Sequence, residues 1–219
     1  MNKILITGAN RGIGLELCRQ LSVRGDEVIA VCRTASKQLD GLNLRVIEGV
    51  DVSDAESVQG LQGQTGLEEL DWLVNNAGIL SVESLESLDY EAMERQFRVN
   101  ALGPLRVTKA LLPKLVPNSK VGIITSRMGS IDDNTSGGYY GYRMSKAAVN
   151  MAGMSLARDL YERRIAVALL HPGMVATDMT GGRGIPTEQS ASGLIRRMDA
   201  LDISNTGSFW HAEGEKLPW

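Results

Sequence analysis

The chain has 219 residues, 43% of them hydrophobic and 22% charged, which is enough for a sizeable core beneath an ordinary globular surface. A net charge of -3 with no long run of one sign excludes a broad nucleic-acid surface or an anionic-membrane patch, so any phosphate binding must be local. No apolar run approaches a membrane span, and the stretch after Met1 is too short for a signal peptide, so a cytoplasmic protein is expected.

Ile4-Leu5-Ile6 predicts a first strand, stopped by Thr7-Gly8-Ala9-Asn10-Arg11-Gly12-Ile13-Gly14 and followed by apolar residues at helical spacing from Leu15 to Leu21. Glycines in a strand-to-helix turn let the backbone approach a pyrophosphate, and the helix start offers free N–H groups and a positive dipole end. The spacing Gly-x-x-x-Gly-x-Gly differs from the standard dinucleotide fingerprint. A second strand, Glu27 to Cys32, ends at Arg33-Thr34. An acid there would suit the ribose hydroxyl of NAD, whereas Arg33, with Arg11 inside the glycine turn, suits the 2′-phosphate of NADP(H).

Leu44 to Val50 predicts a third strand, with Asp51 placed to face an adenine and Ser53 or Asp54 placed to cap the next helix. Leu70 to Val74 is a fourth strand, ending in the turn Asn75-Asn76-Ala77-Gly78. Tyr90 to Leu112 predicts one long helix kinked at Pro104, with Asn100 near the kink. A buried Asn there either repairs freed backbone bonds or does chemistry. Val121 to Thr125 is a fifth strand leading to Ser126, and a polar loop then reaches a helix that begins past Gly141. In that helix Tyr142 and Lys146 stand four residues apart on one face. A phenol has a pKa of about 10, so it exchanges protons poorly at neutral pH unless a cation such as Lys146 stabilises the phenolate.

Ile165 to Leu170 is a sixth strand, stopped by His171-Pro172-Gly173. The Gly- and Thr-rich stretch from Met174 to Ile185 suits a flap over a cleft, and residues 174–203 form the expected substrate-loop region. A helix near Glu188 to Leu201 and a short strand around Gly207 to Trp210 close the chain. Cys18 and Cys32 are expected as buried free thiols, and His171 and His211 are too isolated for a metal site, so no metal is expected. Alternating strands and helices imply a single α/β domain over residues 1–219, a doubly wound parallel sheet with helices on both faces. The glycine turn, Arg33, Asp51, the Asn75 to Gly78 turn, Ser126 and Pro172-Gly173 then share the carboxyl edge of the strands, where ligands of such sheets bind.

With those residues in place, the chain resembles the classical short-chain dehydrogenase/reductase family from end to end, a Rossmann-type fold. Gly8, Gly12 and Gly14, Asn76-Ala77-Gly78, Asn100, Ser126, Tyr142 with Lys146, and Pro172-Gly173 followed by Thr177 carry the resemblance. Gly-Tyr-Tyr-Gly-Tyr-Arg-Met-Ser-Lys-Ala-Ala and the Leu217-Pro218-Trp219 ending resemble its sniffer and C-factor-like branch, better known for carbonyl reductases. The resemblance implies hydride transfer between NADP(H) and a carbonyl or alcohol carbon. Tyr142 would be the proton donor, Ser126 would polarise the carbonyl, Lys146 would lower the Tyr142 pKa and hold the ribose, and Asn100 would hold a relay water. It places the cofactor along Gly8, Asn10, Arg11, Gly12, Ile13, Gly14, Arg33, Asp51, Val52, Asn76, Ala77, Gly78, Pro172, Gly173, Val175 and Thr177, with Tyr142 and Lys146. It also implies a homodimer or homotetramer.

Ser126 precedes Tyr142 by 16 residues (142 minus 126), more than is usual in the family, and Tyr139 lies nearer the usual distance. Tyr139 has Arg143 four residues on, too basic to relay protons, so Tyr142 is the expected catalytic residue. A nucleotide-binding regulatory or signalling protein of the same fold is the alternative function.

Overall fold

The structure, a computed structural model, describes all residues from Met1 to Trp219. Its centre is a sheet of seven parallel strands: β1 (Lys3–Thr7), β2 (Glu27–Val31), β3 (Arg45–Ile47), β4 (Leu70–Asn75), β5 (Leu115–Ile124), β6 (Ala166–His171) and β7 (Ser208–His211). Their order across the sheet is β3-β2-β1-β4-β5-β6-β7, so the direction of winding reverses beside β1. That reversal opens a crevice at the carboxyl ends of β1 and β4.

Both faces of the sheet are covered, as the continuous apolar strands require. Ile4, Ile6, Val28, Ala30, Trp72 and Val74 point to one side and pack with Leu17, Cys18 and Leu21 of α1 (Gly12–Val23). Ala191, Leu194 and Met198, from the helix Thr187–Ala200, complete that layer. The alternate residues Leu5, Ile29, Leu73, Val121, Ile123 and Val167 pack on the opposite helices. Between β2 and β4 lie the short helices α2 (Lys37–Asp40), α3 (Ala55–Gln59) and α4 (Leu61–Gln64). The Asp54 side chain accepts the Glu56 N–H and so caps α3.

The helix expected from Tyr90 to Leu112 with a kink at Pro104 is instead three pieces: α5 (Tyr90–Phe97), a π-helical turn (Arg98–Leu102) and α6 (Gly103–Leu111). The break is not caused by Pro104, which occupies the first turn of α6, where its missing N–H costs little. Asn100 sits inside the π turn. The long helix α7 (Tyr140–Asp159) carries Tyr142 and Lys146, and α8 (Thr187–Ala200) follows the flap. The third strand is shorter than expected, only three residues. Cys18 and Cys32 are both buried and unpaired. No helix is long and apolar enough to cross a membrane.

Candidate active site

A cleft of about 980 Å³ runs along the carboxyl edge of the sheet from β2 to β5. Its floor is the glycine turn. Gly8 and Gly12 have φ of 66° and 55°, which favour glycine, and a Cβ on Gly8 would lie 2.8 Å from the Ala77 Cα. The α1 N-terminus has no side-chain cap and no acid in its first turn, leaving its N–H groups and positive dipole end to the cleft. Asn10, Arg11 and Ile13 line this end. The Asn10 amide donates to the Thr34 carbonyl at 3.0 Å and its own carbonyl accepts the Ser36 hydroxyl at 2.7 Å, so the turn is tied to the chain after β2.

Gly14 and Asn76 hold the turn itself. A Cβ on Gly14 would come within 2.3 Å of the Gly8 carbonyl and 2.5 Å of the Asn76 amide, and Gly14 does not border the cleft. The Asn76 amide donates to the carbonyls of Thr7 and Gly8 at 3.0 and 3.1 Å. Thr7 answers, its hydroxyl accepting the Asn76 and Ala77 N–H groups at 3.1 and 3.2 Å. Asn76, Ala77 and Gly78 still reach the cleft wall.

Arg33, Asp51 and Val52 border the far end, with Cys32 and Gln38. Burial works against the Asp51 charge, yet two hydrogen bonds from Ser53 and the nearby Arg33 and Arg98 hold its pKa below the ordinary value. Arg11 is engaged differently. It reaches across the opening to Asp178 of the flap at 3.2 Å, an ion pair exposed on both sides.

At the β5 end, Tyr142 and Lys146 line the cleft from the first turns of α7. Tyr142 is 8% exposed and Lys146 4%, and the Lys146 Nζ lies 5.6 Å from the centre of the Tyr142 ring. Burial pushes the phenol up to about 12, with Ser126 pulling the other way. Burial likewise brings Lys146 down to about 8, and its ammonium donates to the Ile124 carbonyl at 2.9 Å. The rise of the phenol thus comes from its desolvation, which outweighs the Ser126 hydrogen bond. Ser126 is buried beside β5, and its hydroxyl accepts the Met128 N–H at 3.2 Å. Tyr139 does not border the cleft; it stands at the N-cap position of α7 with φ 52° and gives the helix no side-chain hydrogen bond.

Asn100 stands behind this end rather than in the cleft lining. Its amide donates to the Ile79 carbonyl and the Ser145 hydroxyl at 2.9 and 3.0 Å, and its carbonyl accepts the Ile79 N–H at 2.9 Å. It therefore clasps the chain after β4 to α7 and does not repair its own helix. A Cβ on Gly78 would lie 3.3 Å from Asn100 Oδ1 and 3.8 Å from Lys146 Nζ, so the glycine leaves open the space between them.

The chain after β6 closes the cleft. Pro172 and Thr177 border it, while Gly173 (φ 86°) and the buried Val175 lie behind. Thr177 rests on the glycine turn, where a Cβ on Gly12 would meet its methyl at 3.3 Å. Val175 pairs with Ile185 at the neck of the flap, where the Ile185 N–H donates to the Met174 carbonyl at 2.8 Å. Thr7, Thr125, Ile79, Leu80 and Asp178 were missed by sequence reasoning. Only Thr7 carried a signal, standing immediately before the glycine turn.

An uncapped, glycine-rich helix start in the cleft and a buried Tyr–Lys pair beside Ser126 at its end place the molecule among nucleotide-dependent oxidoreductase folds. The "short chain dehydrogenase" family profile matches residues 2–185, and the chain belongs to this family. It is 44% identical to the 1-hydroxy-2-glutathionyl-2-methyl-3-butene dehydrogenase of Rhodococcus sp. (strain AD45), over all of both chains. Among solved structures it resembles the carbonyl reductase Sniffer of D. melanogaster, with TM-score 0.92, 31% identity and complete coverage of both chains. NADPH-bound carbonyl reductase from chicken fatty liver gives TM-score 0.92 at 29% identity, covering 100% of this chain and 99% of that one.

Proposed function

We propose that the protein is an NADP(H)-dependent oxidoreductase that transfers a hydride between the nicotinamide and a carbonyl or alcohol carbon, working chiefly as a reductase of ketones, aldehydes or quinones. The observation that carries this reading is the buried Tyr142–Lys146 pair at the end of a cleft that begins at Arg33. Strands β2 and β5 stand three places apart in the sheet, roughly 14 Å, a distance that a dinucleotide spans. The residues fit the cofactor. Gly8 and Gly12 line the cleft with backbone at positive φ, the α1 N-terminus is uncapped, and Arg33 with Arg11 suits a 2′-phosphate.

Bound there, the cofactor supplies the hydride chemistry. Tyr142 stays protonated at neutral pH because burial disfavours its phenolate, so its proton is ready for the carbonyl oxygen of a substrate. Ser126 hydrogen-bonds that oxygen and orients it. Lys146 uses one N–H on Ile124 and keeps two, which hold the ribose and stabilise the phenolate as the proton leaves. A water in the space beside Gly78, between Asn100 Oδ1 and Lys146, would return the proton. In the oxidative direction the same groups act in reverse.

The relative from Rhodococcus supplies a specific alcohol to test beside ketones, aldehydes and quinones, each with NADPH or NADP and with NADH or NAD. Tyr142→Phe is expected to lower kcat by about 10²–10⁴-fold, the usual contribution of a positioned proton donor, and Tyr139→Phe to leave it within a few-fold. Comparable losses from both would remove the assignment, and no turnover of any compound would remove the enzyme reading. Unpaired buried thiols support a cytoplasmic site of action. The exposed Phe97, Met144 and Met151 on the helices α5 and α7 support a homodimer or homotetramer, which light scattering resolves.

A further inference from the structure

The catalytic helix begins without a cap of its own. Tyr139 stands at the N-cap position in the left-handed region, φ 52°, and offers no side-chain hydrogen bond to the first turn. A left-handed non-glycine residue stores strain that its surroundings must hold. The missing partner comes from 58 residues away. The Glu83 carbonyl accepts the Tyr139 N–H at 2.8 Å, and the Glu83 carboxylate accepts the Gly141 N–H at 3.2 Å. Tyr142 is the next residue.

Glu83 is 3% exposed and is paired with no cation. Three neutral donors hold its carboxylate: the Ser81 hydroxyl at 2.5 Å, the Gln96 amide at 2.8 Å, and Gly141 N–H. Gln96 is itself fully buried on α5, and its carbonyl accepts the Ser81 N–H at 3.0 Å. Burying a carboxylate without a counter-ion is costly. An Asp, Asn or Ser at position 139 would cap the helix at no such cost. What the Glu83 arrangement adds is a fixed reference. Gly141 is pressed onto α5 so closely that a Cβ would lie 2.4 Å from the Gln96 amide and 2.9 Å from the Met93 Cα. The first turn of α7 is thus anchored both to α5 and to the chain that follows β4, and that chain, through Ile79 and Leu80, forms part of the cleft wall.

We propose that Glu83 is a positioning residue for the proton-transfer step, pinning the first turn of α7 so that the Tyr142 phenol stays aligned with Ser126 and the substrate oxygen. This inference rests on Tyr142 as the proton donor. None of Ser81, Glu83, Gln96 and Gly141 borders the cleft, so the cofactor does not need them directly.

Glu83→Gln keeps volume and reach and serves where Glu83→Ala fails to fold; Tyr142→Phe is run beside both. Glu83→Ala is expected to lower kcat about tenfold and Glu83→Gln by less, a small misplacement of a reacting group being enough for losses of this order. NADPH affinity, read by fluorescence, and KM are expected to stay within twofold, and the solvent deuterium isotope effect on kcat to grow as proton transfer becomes more limiting. A folded Glu83→Gln or Glu83→Ala protein with wild-type kcat and isotope effect overturns the inference, as does a loss of kcat matched by an equal loss of NADPH affinity. Should Tyr142→Phe retain activity, the reading beneath it fails instead.

Discussion

Arg33 and Arg11 look equivalent in the sequence, two cations without an acid near a glycine turn, but the structure gives them different work. Arg11 is already engaged by Asp178 across the mouth of the cleft, whereas Arg33 makes no ion pair. A phosphate must displace a carboxylate from Arg11, whereas at Arg33 it meets no ion pair, only the more distant Asp51. Charge-assisted hydrogen bonds contribute about 1.5–3 kcal/mol, or roughly ten- to a hundredfold in affinity. Arg33→Asp is therefore expected to lower kcat/KM for NADPH by at least that factor while raising it for NADH, because an acid at this strand end suits a ribose hydroxyl. Arg11→Ala should cost less. Equal losses with both cofactors would show that Arg33 shapes the loop and does not read the phosphate. The cations and glycines were legible because their chemistry is local to a strand end. The division of labour was not, since Asp178 lies 167 residues from Arg11.

Among the elements, the parallel sheet and its crossovers could be read from the alternation of apolar runs and helical patterns, and the Tyr142 helix from its small residues. The break after α5 was misread because Pro104 offered an obvious cause, while a π turn has no signature in residue pattern. Its function is visible only in three dimensions: the turn aims Asn100 at Ile79 and Ser145, 21 and 45 residues away. Removing that side chain takes the partners from the Ile79 N–H and C=O, while the Ser145 hydroxyl keeps its bond to the Tyr142 carbonyl. Asn100→Ala is thus expected to destabilise the fold by about 2–4 kcal/mol, each unmet buried group costing about 1–3 kcal/mol and partial relaxation limiting the sum. Urea denaturation measures it, and a change below about 1 kcal/mol would mean that water replaces the clasp. The Glu83 clasp escaped detection for the same reason. A lone acid in a polar loop resembles any solvated residue until its distant partners fold around it.

For the molecule as a whole, the carboxyl edge of the sheet that gathers the site also gathers buried titratable groups, and this makes stability depend on pH. His171, at the end of β6, is pushed down to about 3, first by burial and then by His211, Arg127 and Lys146. Its ring meets that of His211 edge-on at 5.0 Å, and its Nδ1 has no hydrogen-bond partner. Above pH 6.5 the imidazole is neutral in folded and unfolded chains alike, so it has no effect. Below that, the unfolded chain takes up a proton that the folded chain refuses until about pH 3. Stability therefore falls as pH drops through this window, by at most about 1.4 kcal/mol per pH unit for one proton. Glu16, Asp26 and Asp51, whose pKa values are lowered in the fold, act in the same direction, but only below the ordinary carboxylate values of 4.5 and 3.8. The interval from pH 6.5 to 5 thus isolates the histidine. Wild-type protein should lose stability across it in urea titrations, whereas His171→Gln, which cannot take up the proton, should hold nearly constant. Parallel losses in the two proteins would place the acid sensitivity elsewhere in the molecule.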